Sequence, residues 1–257
     1  MRKLNLWILP AAFYVLCCVL NLAGCAWSEE IERIIKPSLM PLLSLTTFTY
    51  LLEAASRRSQ ESRLATPAVS GAEGGTSPEI RGAALLMLGQ MFGFAGDTLL
   101  LGRGFPFFAG GIGLFLVGHI FYISLFGGRS WKGLKAWHWA VAMAVCCALV
   151  ACLIGGIGVK GAMLVPMAVY GFVLTLLIFS TLAGALRFGG ATWWMLLAGA
   201  VLFTFSDALI AVHNFHSLSS LMRGPVVMAT YLAAQSLLAV GGVRLLLSAN
   251  PWDKHRD

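Results

Sequence analysis

Charge is what this chain has least of. Only 11% of its 257 residues are Asp, Glu, Lys or Arg, against roughly 25% in soluble domains. That scarcity excludes a water-soluble globular fold. Familiar catalytic signatures are missing too. There is no GxxxxGK nucleotide loop, no GxSxG elbow and no HExxH pair, so serine-hydrolase and zincin mechanisms have no sequence support. The six cysteines (Cys17, Cys18, Cys25, Cys146, Cys147 and Cys152) show no metal-type spacing. All lie in or at the end of apolar runs and read as small buried hydrophobes. Leu22-Ala23-Gly24-Cys25 matches a bacterial lipoprotein cleavage box, whose processing would remove the first helix. The apolar run around it is long enough to span a bilayer, and we read it as a retained helix.

What remains is hydrophobic: 58% of residues are apolar, and the mean hydropathy is +0.82. A helix needs about 20 residues to cross about 30 Å of hydrocarbon. Eight runs qualify, at 4–26, 37–55, 82–102, 107–127, 137–157, 163–185, 193–213 and 225–248. Their unbroken apolarity excludes the alternating pattern of a membrane barrel. The expected fold is therefore all-α: a single domain over 1–257, forming a polytopic bundle of eight transmembrane helices. With both termini cytoplasmic, 13 of the 18 Lys and Arg fall on the inner side, as the positive-inside rule requires. All eight Trp lie near predicted helix ends, where an interfacial belt belongs. The basic excess is dispersed over short loops and does not suit nucleic acid. One polar stretch, 56–81, reads as a disordered cytoplasmic linker. No organelle signal is evident, so a bacterial inner membrane is the default location.

Against this background two acids stand out. Asp97 lies in GQMFGFAGDTLLLG and Asp207 in GAVLFTFSDALIAV, each with no charged residue within five positions on either side. A carboxylate near a bilayer centre costs about 2.5–3.5 kcal/mol on insertion scales, so such acids face a bundle interior and have a task there. Gly89-x3-Gly93-x2-Gly96-Asp97 aligns weakly with Gly199-x3-Phe203-x2-Ser206-Asp207, which suggests a parallel repeat of helices 1–4 and 5–8. At 1.5 Å per residue, Asp97 and Asp207 lie about 7 and 9 Å below the outer face. Tyr231 and Gln235 share a face of helix 8, and His119 and Tyr122 a face of helix 4. Lys36 opens helix 2 at the outer mouth, just before Pro37 and Pro41. If these side chains converge, they form a polar pocket beneath the outer surface.

Each residue also has an ordinary reading. An intramembrane Asp can cap a neighbouring helix, a lone His can be a hydrogen-bonded core residue, and Tyr122 and Tyr231 can simply pack. Lys36 can snorkel to the interface. Glu53 reads as interfacial, and His213 with His216 as exposed residues rather than a metal pair. As a constellation, two buried carboxyl groups suit acid–base chemistry, one protonated and one ionised. The residues alone leave a proton-coupled transporter and a metal-dependent lipid hydrolase open beside a metal-free hydrolase.

The motifs narrow this. Ile35-Lys36-Pro37 with Met40-Pro41-Leu42, Gly96-Asp97, Gly118-His119-x2-Tyr122, Phe205-Ser206-Asp207 and Tyr231-x3-Gln235 occur in an order that resembles the YhhN-like lysoplasmalogenase family of multi-pass membrane proteins. The resemblance covers roughly residues 31–240. It implies an eight-helix integral enzyme that hydrolyses the vinyl-ether bond of a lysophospholipid substrate, the lysoplasmalogens; we expect no cofactor and no metal. The products are a fatty aldehyde and glycerophosphocholine or glycerophosphoethanolamine. Our reading of the residues then assigns Asp97 and Asp207 to the acid and base or stabiliser roles, in either order, with His119, Tyr122, Tyr231 and Gln235 orienting the pair or binding water and the ether oxygen, and Lys36 holding the head-group phosphate.

Overall fold

The apolar runs fold as the helices their lengths require. A computed structural model describes residues 5–65, 78–216 and 222–248. Eight long helices follow in order: α1 (Ile8–Trp27), α2 (Glu29–Ala65), α3 (Pro78–Leu100), α4 (Phe105–Ser130), α5 (Ala136–Ile157), α6 (Leu164–Phe188), α7 (Gly190–Phe215) and α8 (Val227–Leu247). A 3-10 turn at Gly161–Met163 leads into α6, and a π turn at Met222–Val226 leads into α8. No strand occurs among the described residues. Seven of the helices contain windows long and apolar enough to cross a membrane. Large apolar side chains such as Leu9, Ile34, Val165 and Leu186 stand exposed, as a lipid-facing surface demands. The protein is an integral, multi-pass helical bundle.

The exception among the eight is α2. The sequence predicts it at 37–55, but it starts eight residues earlier and continues to Ala65. Pro37 and Pro41, which looked like helix openers, lie inside it. Each lacks an N–H, so the carbonyls of Arg33 and Pro37 lose their helical partners. Charge at both ends of α2, including Glu32, Arg33, Arg57 and Arg58, lowers its mean hydropathy below that of the other helices. Residues 56–65 and 78–81 of the polar stretch extend α2 and α3; 66–77 lie outside the described residues, as do both chain ends.

Helix α8 is the hub. It touches α1, α2, α3 and α7, and Tyr231, Ala234, Gln235 and Leu238 on it are almost fully buried. α4 reaches across to α6, while α5 packs on α6 and α7 alone among the described helices. Close approach is made possible by a glycine stripe on α3. A Cβ at Gly89 would sit 2.6 Å from the Tyr122 ring, and one at Gly93 would sit 3.3 Å from Gln235 Nε2. Gly118 on α4 answers from the other side, with space for a Cβ only 3.0 Å from the Gly89 carbonyl. The small residues of the Gly89–Gly96 motif therefore open α3 toward the polar residues of α4 and α8.

Gly89→Ala must displace Tyr122. We expect a loss of about 1–3 kcal/mol, the usual scale of overpacking, seen as a lower unfolding midpoint in detergent. Gly113→Ala, whose Cβ meets nothing within 4 Å, leaves that midpoint unchanged.

Candidate active site

In a medium without water, every polar side chain must find a partner within the protein. Asp97 on α3 finds two. Tyr231 of α8 donates its hydroxyl to Oδ2 at 2.6 Å, and Lys36 of α2 places Nζ 4.0 Å from Oδ1. The Lys36 and Asp97 side chains are 12% and 4% exposed, so this pair works in poorly solvated surroundings. The network continues through the bundle. Gln235 Nε2 donates to the Tyr231 hydroxyl at 3.4 Å, and Tyr122 of α4 donates to Gln235 Oε1 at 2.9 Å. Five of the seven residues expected from sequence thus form one chain across α2, α3, α8 and α4.

Asp207 on α7 is held separately. The Tyr170 hydroxyl of α6 donates to its Oδ2, while its buried Oδ1 has no hydrogen-bond partner. His119 lies between the two groups. Its Nδ1 is 2.6 Å from the Phe115 carbonyl, which makes Nδ1–H the donor and leaves Nε2 as an acceptor in the neutral ring. That Nε2 is buried and also unpartnered. The imidazole meets Phe203 edge to face, with centroids 4.4 Å apart, and lies 5.9 Å from the Tyr170 ring. Phe203 in turn packs 5.4 Å from Tyr231. An aromatic cluster therefore links Asp97 to Asp207.

Two spaces lead to this centre. A cavity of about 510 Å³ lies above Lys36, walled by α2, the α3–α4 turn, the end of α7 and the start of α8. It includes Glu32, Phe105, Phe108 and His213. A narrow apolar groove between α5, α6 and α7 reaches Tyr170 and Asp207 along Val150, Ile154 and Leu174. So one acid sits below a polar chamber and the other beside an apolar slot.

A model of the YhhN family matches residues 31–242. This chain belongs to the YhhN family. The matched span contains every side chain of the centre described above. The chain is 31% identical to human Lysoplasmalogenase TMEM86A over 179 residues, 68% of this chain and 70% of that protein. It is 32% identical to the Bos taurus Lysoplasmalogenase TMEM86A over 178 residues, again 68% and 70%. Mouse Lysoplasmalogenase TMEM86B is 34% identical over 135 residues, 52% of this chain and 53% of its own. No solved structure matches.

Within this family member, sequence reasoning missed Tyr170. Its signal was available: it is the lone phenol in a largely apolar stretch of α6, LVPMAVYGFVLTLLIF. Gln90 was also missed; it is fully buried on α3 and donates to Thr47 at 3.2 Å. Of the residues read as ordinary, Glu53 pairs with Arg57 one turn away. His216 donates through Nε2 to the Ile157 carbonyl at 2.7 Å. Among the described residues no group of three or more His, Cys, Asp or Glu is placed to hold a metal ion.

Tyr122→Phe removes the only donor shown to Gln235 Oε1 and leaves that oxygen buried. We expect a cost of about 1–3 kcal/mol. Combining it with Gln235→Leu should cost less than the sum of the single changes, because both act on one network. Reversible unfolding of the single and double variants in detergent measures the coupling.

Proposed function

We propose that the protein hydrolyses the vinyl-ether bond of lysoplasmalogens, releasing a fatty aldehyde and a glycerophospho-base. Family membership and the relatives named lysoplasmalogenase support the reaction class. The observation that carries the mechanism is the pair of carboxyl groups joined through His119 and the aromatic cluster, with Asp207 Oδ1 and His119 Nε2 left unpartnered inside. In an apolar interior, unpaired polar atoms of this kind suit a reacting group or a water.

The two acids have different neighbours and take different parts in this reading. Lys36 stabilises a negative charge on Asp97. Asp207 has a phenol beside it, and lines the apolar groove. Asp207 therefore serves as the acid, delivering a proton to the alkene carbon of a chain lying in that groove. The ether oxygen shares the resulting positive charge, and the Asp97 carboxylate balances it. Water adds to the oxocarbenium carbon and loses its proton to the acid pair. Collapse of the hemiacetal breaks the carbon–oxygen bond, its hydroxyl proton passing to the departing glycerol oxygen. His119 Nε2 holds the water, Tyr231 and Tyr170 fix the acids, and Gln235 and Tyr122 fix Tyr231. Lys36, at the floor of the chamber, also meets the head-group phosphate. The substrate enters from the lipid, with its head in the chamber. We further propose that α2 is an eighth span, that both termini are cytoplasmic, and that the equivalent places of Asp97 and Asp207 reflect a four-helix duplication.

Purified protein given 1-alkenyl lysophosphatidylcholine or lysophosphatidylethanolamine should release fatty aldehyde, with or without chelator. Asp97→Asn and Asp207→Asn should each lower kcat by about 10²-fold or more, the scale of lost acid–base catalysis. Full activity in both folded variants would remove the carboxyl groups from the mechanism.

A further inference from the structure

The chamber above Lys36 contains a charge that vinyl-ether hydrolysis does not use. Glu32 lies four residues before Lys36 on α2 and lines the same wall, since positions i and i+4 of a helix share a face. Glu32 is half-buried, is flanked by the Cys25 thiol of α1, and makes no ion pair among the described residues. Among the described residues it is the only acid lining the chamber, and Lys36 is the only Lys or Arg there. The rings of Phe105 and Phe108 line the same chamber. At about 510 Å³, the space falls within the usual range for small-molecule sites, about 300–1,000 Å³.

An acid in this place works against a ligand that carries only a phosphate, because it repels the anion that Lys36 attracts. It works in favour of a ligand whose phosphate is followed, two carbons on, by a cation. We infer that Glu32 and Lys36 form a seat for a zwitterionic head group, Lys36 taking the phosphate and Glu32 the ammonium. This rests on the reading of the chamber as the head-group site. The aromatic rings extend the seat to quaternary ammonium, which favours the faces of aromatic rings. Glu32 is then a specificity-determining residue, without a part in the bond-breaking steps.

Binding tests the seat independently of turnover. Labelled 1-O-alkyl glycerophosphocholine has no vinyl ether and is not consumed. Its dissociation constant is measured on the full chain in mild detergent, beside that of 1-O-alkyl glycerophosphoglycerol, which has the same phosphodiester and no cation. Wild type should prefer the choline lipid by roughly tenfold, the scale of one charge-assisted contact. Glu32→Gln should abolish that preference, weakening the choline lipid while the glycerol lipid, freed of the repulsion, binds as tightly or more tightly. No preference in wild type, a preference kept in Glu32→Gln, or equal loss of both lipids in the variant would overturn the assignment. Aldehyde release is a separate readout: a Glu32-dependent preference without aldehyde would retain the seat and discard the vinyl-ether reaction.

Discussion

The bond from Tyr231 to Asp97 is the constraint around which the bundle is arranged. A carboxyl group in hydrocarbon has no water to solvate it, so its partners must come from other helices. Tyr231 brings α8 against α3, and Lys36 brings in the proline-containing part of α2. Once Tyr231 is placed, Gln235 follows one turn on, and Tyr122 ties α4 to the same point. The glycines of α3 are the geometric condition for all of this, since a side chain at Gly89 or Gly93 would occupy the space of Tyr122 or Gln235. Buried apolar residues pack around this polar chain, which ties together faces of α2, α3, α4 and α8.

The proposed reaction draws on an asymmetry between two similar acids. Asp97 is saturated with partners and sits beneath a chamber that holds charge of both signs. Asp207 has one phenolic partner and faces an apolar slot. The chamber is polar and the slot apolar, and His119, packed against Phe203 and Tyr170, lies between the two acids. Two equivalent carboxyl groups could not divide the acid and base roles; unlike surroundings make the division available.

Much of this was legible in the sequence because the hydrocarbon interior makes polar residues conspicuous. Asp97, Asp207, His119, Tyr122, Tyr231 and Gln235 stood out against apolar neighbours, and helical spacing placed them in pairs on single faces. What spacing does not encode is the rotation of one helix against another. Tyr170 was passed over for that reason, as its meaning depends on α6 presenting it to Asp207 on α7. The start of α2 was misplaced because Pro37 and Pro41 have the local signature of a helix opening, whereas tertiary packing keeps both inside the helix. Glu32 was overlooked because it fell in the segment read as a loop before α2, where an acid attracts no notice.

The sequence separations in the polar centre also have a meaning in time. Tyr231 lies 134 residues after Asp97, so a chain made from its N-terminus inserts Asp97 into the bilayer before its phenolic partner exists. Lys36, made earlier, is the only member of the Asp97 group already present at that stage. Lys36 is thus the first partner available to Asp97. The Tyr231 bond closes the centre only when α8 docks against α3.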